Sequence, residues 1–104
     1  MTKIEKEIND HVLDLKSDKN LQKDEAFLCR LFFIYEKAYC DAIEVGENHG
    51  DQDILEDAKS AKKKLDEIYE VLFATESTIE EDLVRIQKAA DLIIKHKTYF
   101  QITI

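Results

Sequence analysis

The chemically capable side chains of this chain are mostly carboxylates, and they are unevenly spread. From Ala38 to Ala58 there is no lysine or arginine, while Asp41, Glu44, Glu47, Asp51, Asp53, Glu56 and Asp57 all fall in that stretch. A second such stretch runs from Leu65 to Val84, with Asp66, Glu67, Glu70, Glu76, Glu80, Glu81 and Asp82. Lys59, Lys62, Lys63 and Lys64 separate the two. Carboxylates grouped this way repel phosphates and attract cationic surfaces, speeding association by long-range steering. Helix N-termini also attract acids, and that alone accounts for much of Asp51–Asp57 and Glu80–Asp82. The pair of clusters favours recognition. The candidate partner-binding residues are therefore Asp41, Glu44, Glu47, Asp51, Asp53, Glu56, Asp57, Glu76, Glu80, Glu81 and Asp82.

Other chemistry finds no support. His49 with Asp51 and Asp53 resembles the start of a calcium loop only superficially, because the glycine and terminal glutamate offsets of an EF-hand are absent. No Glu-x-x-His motif suggests a di-iron bundle. There is no glycine-rich phosphate loop and no nucleophile elbow. His11 and His96 are isolated and read as surface or helix-end residues. No catalytic residue, metal ligand or cofactor is assigned, and the chain is read as a non-enzyme. Cys29 and Cys40 are eleven residues apart on one expected helix, roughly 16 Å along its axis, too far for an internal disulfide. Both read as buried, reduced thiols, in keeping with a cytoplasmic location. The N-terminal residues alternate in charge with no apolar h-region behind them, so no signal peptide is read. A net charge of −8 argues against nucleic acid or an anionic membrane as partner.

The elements that must position these residues are helical. The 104 residues include no proline and only two glycines, Gly46 and Gly50. These strongest breakers of regular structure are thus confined to one place, which predicts long helices around a single tight turn. The first helix is expected over about 3–16, opened by a Thr2/Glu5 capping box with Ile4, Ile8, Val12 and Leu15 as its apolar stripe. The second is expected over about 23–45, with Gly46 as its left-handed C-cap. Its main stripe is Phe27, Leu31, Ile34, Ala38, Ala42 and Val45, widened by Leu28, Phe32, Tyr35, Tyr39 and Ile43. The third begins near Asp51–Asp53 and carries a heptad-like seam of Ile54, Ala58, Ala61, Leu65, Ile68 and Leu72. A Ser77/Glu80 capping box opens the fourth, about 78–95, whose seam is Leu83, Ile86, Ala90 and Ile93, widened by Ile79, Ala89, Leu92 and Ile94.

Residues 98–104 alternate Phe100, Ile102 and Ile104 in strand fashion. They are expected either to cover the open end of the bundle or to be donated as a strand to a partner or a second copy. The resulting fold class is all-α, an antiparallel up-down bundle of about four helices. It has a short first helix, a long central hairpin about Gly46–Gly50 and an extended C-terminal tail.

Small size, acidity, a rigid scaffold and the lack of catalytic signatures point to a cytoplasmic binding protein that neutralises a basic protein partner. The expected type is an immunity or antitoxin inhibitor, bacterial or phage-encoded, of a toxin such as a nuclease. The alternative is a chaperone or adaptor of a secretion or regulatory system that grips a partner helix in the wide apolar arc of the second helix. A homodimer through the tail and that helix stays open.

Overall fold

A computed structural model describes residues 2–102. Four helices follow one another: α1 (Lys3–Ser17), α2 (Glu25–His49), α3 (Gln52–Leu72) and α4 (Ile79–Lys95). Single 3₁₀ turns at Leu21–Lys23 and Lys97–Phe100 complete the described chain. Every α-helix opens on a residue whose side chain accepts a hydrogen bond from a backbone amide of the first turn. Thr2 takes Glu5 N, Asp24 takes Phe27 N, Asp51 takes Asp53 N and Ile54 N, and Thr78 takes Glu81 N. This satisfies donors the helix itself cannot pair. At α4 the cap is Thr78 and not Ser77, one residue later than the sequence suggests; Ser77 Oγ instead donates to Glu81 Oε2.

The helices form an antiparallel up-down bundle. His11 stacks on Phe27 across α1 and α2. Phe32 meets Tyr69 and Phe73 across α2 and α3. Arg85 reaches Val71 and Leu72 across α3 and α4. Gln87 bonds Gln22, and Gln101 bonds Asn9, on the α4 and α1 side. In α1, α3 and α4 the core follows the expected seams: Ile8, Val12 and Leu15 of α1, Ala58, Ala61, Leu65, Ile68 and Leu72 of α3, and Ile86, Ala90 and Ile93 of α4 are buried. In α2 the buried side chains are Leu28, Leu31, Phe32, Tyr35, Ala38 and Ala42, while Phe27, Ile34 and Val45 of the expected main stripe are only half-buried. The α4 seam starts late. Leu83 and Ile79 lie on the correct stripe but are exposed, since the first two turns of α4 extend beyond the core.

The α2–α3 turn corrects the role of the first glycine. Gly46 lies inside α2 and is buried. The left-handed C-cap is Gly50, at φ +61°, four residues later. Gly50 N donates to Glu47 O and Asp51 N donates to Gly46 O, the paired bonds of a Schellman closure. Gly46 has a different task. A Cβ there would sit 2.8 Å from Leu55 Cδ2 and 3.3 Å from Ile54 Cγ2. With Ala42 and Ala58, it lets α2 and α3 approach closely near their turn. Periodicity alone cannot separate a glycine that ends a helix from one that admits a neighbour.

The C-terminal segment docks in cis. No strand is present among the described residues. The segment turns at Lys97–Phe100, buries Phe100 and Ile102, and stacks Phe100 on Tyr35 with ring centroids 4.2 Å apart. Thr103 and Ile104 lie outside the described residues, as does Met1. Tyr35, itself buried, donates its hydroxyl to Ile93 O at 2.6 Å. Burial pushes the phenol well above its usual pKa.

Two outcomes follow. A Gly46→Val variant forces Leu55 and Ile54 aside and should lower stability by about 1–3 kcal/mol, the range for overpacking. Thermal unfolding checks this, and an unchanged midpoint would mean that the close approach is not required. For Tyr35 the folded-state pKa is raised, so its contribution is complete below the unfolded value of about 10 and fades as pH rises past it. Between about pH 8 and about pH 11 the wild type should therefore lose more stability in urea than Tyr35→Phe does. Parallel losses would remove Tyr35 as the cause.

Candidate functional site

The structure gathers the first acidic run into a projecting arm. The start of α1 lies beside Ala38 and Asp41 of α2, and Thr98 to Ile102 of the tail lie beside Asp57 and Ser60 of α3. Residues 43–56 continue past these points as two helices closed by Gly50. The described molecule is elongated, 47 × 25 × 17 Å. On the arm, Glu44, Glu47, Asp53 and Glu56 are exposed, and Asp57, exposed, and Asp41, half-buried, lie at its base. Asp51 is different: its Oδ1 takes Asp53 N at 3.0 Å and Ile54 N at 3.2 Å, so it is first a helix cap. Asp53 also gains from the positive end of α3. Glu47 does not, because it occupies the last turn of α2, where carbonyls point outward and a carboxylate is disfavoured.

The second group lies at the other end of α3, about 30 Å away for 21 residues at 1.5 Å each. The fold therefore does not merge the two groups. Glu76, Glu80 and Glu81 are exposed around the α3–α4 turn. Asp82 is committed to Arg85, whose Nε donates to Asp82 Oδ1 at 3.1 Å.

Arg85 is absent from the sequence-derived candidates, yet it organises this end. It is only 7% exposed. One Nη donates to Leu72 O, a carbonyl at the end of α3, and, at 3.4 Å, to Val71 O, which also accepts from Ala74 N. The other Nη meets Glu25 Oε1 of α2 at 3.4 Å. Burial opposes its charge, but the bonds and fields of Asp82 and Glu25 outweigh this and raise its pKa. No basic residue occupies the last turn of α3 itself, so Arg85 provides the cation from α4. The available signal in sequence is slight: it ends the second lysine-free stretch and sits three residues after Asp82.

An exposed aromatic group also escaped the pattern. Phe33, Tyr69 and Phe73 are exposed around the buried Phe32, with centroid separations of 4.9–5.9 Å. Phe33 belongs to neither apolar stripe of α2, and that was the readable sign.

The histidines and cysteines are not brought together. Among the described residues no group of three or more His, Cys, Asp or Glu is placed to hold a metal ion. His96 ends α4 as expected, but it is buried and not at the surface. Its Nε2 lies 3.3 Å from Glu67 Oε2, in a direction unsuited to a hydrogen bond. His11 is half-buried against Phe27. Cys40 is exposed, contrary to the expectation of a buried thiol, and Cys29 is half-buried; both are free. Burial, with the nearby Glu25 charge, pushes the Cys29 thiol up despite Arg85, which disfavours the reactive thiolate. No described helix is long and apolar enough to cross a membrane.

No protein-family model, curated protein or solved structure matches the chain.

Replacing Arg85 by Met keeps most of the volume but strands the α3 carbonyls. An orphaned buried acceptor costs about 1–3 kcal/mol, so Arg85→Met should destabilise by at least that much. Chemical denaturation measures it; a neutral result would show that water replaces the guanidinium freely.

Proposed function

We propose that this is a small acidic binding protein of the cytoplasm that neutralises a basic protein partner. The type it fits best is an immunity or antitoxin inhibitor of a toxin such as a nuclease. The observation that carries this reading is the arm: carboxylates on both helices of the α2–α3 turn and no lysine or arginine from Ala38 to Ala58. Helix N-terminal preference explains Asp53 but not Glu44 and Glu47 near the end of α2. An acidic projection of this kind can occupy a cleft shaped for phosphates. It also raises the association rate in a salt-dependent way.

A second reading rests on the exposed Phe33, Tyr69 and Phe73. A chaperone or adaptor would bind a partner helix through them, and such binding would resist salt.

The test uses affinity capture from the native host with a salt-gradient elution, followed by kinetics on the captured protein. The variant is Glu44→Lys/Glu47→Lys/Glu56→Lys, which spares the Asp51 cap. A basic partner is expected, with its association rate lowered about tenfold or more by the variant and an unchanged thermal midpoint. Binding that survives high salt and ignores the variant would instead favour the aromatic surface.

A further inference from the structure

An open depression of about 480 Å³ lies between the end of α3 and the first turns of α4. Val71, Ala74 and Val84 give it an apolar surface. Val84 is 70% exposed, an unusual cost for a β-branched apolar side chain on an ordered helix. Around this surface stand Glu70, Glu76, Glu80 and Glu81. Two cations border it, Arg85 and Lys88, but the Arg85 guanidinium is committed to the α3 carbonyls, Asp82 and Glu25. Glu70 lies in the last turn of α3, against the helix dipole and with no basic neighbour in that turn.

An apolar floor and a carboxylate rim together select one kind of occupant. It must carry methylenes for Val71, Ala74 and Val84, and a cation for the glutamates. Lysine and arginine side chains both do so, burying their stems while the head stays polar. Arginine fits better, because its planar fork can engage two carboxylate oxygens at once and it is more weakly hydrated. We infer that this depression is the docking site for an arginine side chain projecting from a basic protein partner. The inference rests on the basic-partner reading and adds an anchoring point to it. The arm then governs encounter, whereas the pocket, partly desolvated, governs residence.

The experiment titrates an amphipathic Leu–Arg helical peptide into ¹⁵N-labelled protein, beside a Leu–Glu peptide of the same length. Amide shifts are expected at Val71, Ala74 and Val84 with the Leu–Arg peptide alone. Val84→Ser and Glu76→Gln/Glu80→Gln should each weaken that binding several-fold, about tenfold for the double variant, with unchanged thermal midpoints. Shifts confined to residues 41–57, or to Phe33, Tyr69 and Phe73, would overturn the pocket while leaving a cation-binding surface elsewhere. An unchanged affinity in Val84→Ser would overturn it as well. No shifts at all, or equal binding of the Leu–Glu peptide, would overturn both the pocket and the basic-partner reading.

Discussion

Four helices must each dispose of carbonyls left unpaired at their C-termini, and this chain has only two glycines and no proline with which to do it. That constraint organises the bundle. Among the described helices, α2 closes through a left-handed glycine, Gly50. The other three ends add side chains from elsewhere to their own backbone bonds. Gln22 donates to Leu15 O near the end of α1, Arg85 to Val71 O and Leu72 O at the end of α3, and Tyr35 to Ile93 O at the end of α4. Each bond is at once a cap and a tertiary contact, so helix length and helix position are fixed together. Tyr35 extends the scheme by stacking on Phe100, which holds the C-terminal segment over the core.

Gly46 serves the same economy from the opposite side. Within a helix, glycine costs up to about 1 kcal/mol relative to alanine. Here it removes a clash with Leu55 and Ile54, so that α2 and α3 stay in contact beyond the reach of α1. Without a close seam there, two acidic helices would repel each other with little apolar contact to oppose them. The half-buried Ile54 and Leu55 and the buried Ala42 and Ala58 supply that contact.

Local signals were legible in the sequence and long-range ones were not. Thr2 was readable as an N-cap because its partner, Glu5 N, is three residues away. The seams of α3 and of the later half of α4 were readable from spacing. Gly46 reads from sequence as a C-cap because a terminator and a close-approach glycine look alike until the neighbouring helix is placed. Arg85 was invisible as a cap since its acceptors lie 13 and 14 residues back. The strand-like alternation of Phe100 and Ile102 reflects two residues meeting one core from a 3₁₀ turn and the segment after it, with no sheet to join. For the candidate site, the sequence located the acids; it could not reveal that one run forms an arm and the other rims an apolar depression.

The placement of charge at the two helix ends carries the functional weight. A bundle selected for stability alone would put cations in the last turns of α2 and α3, where they are worth about 0.3–1 kcal/mol each. This one has Glu47 in the first of these and Glu70 in the second. The structure offsets the local penalty by importing Arg85 at one end and by a Schellman closure at the other. Such compensation keeps the carboxylates exposed and leaves Glu70 without a basic residue in its own helical turn and Glu47 with His49 alone. On the proposed reading, a partner bearing positive charge would relieve both ends, and the span of α3, about 30 Å, would let one globular partner reach either pole.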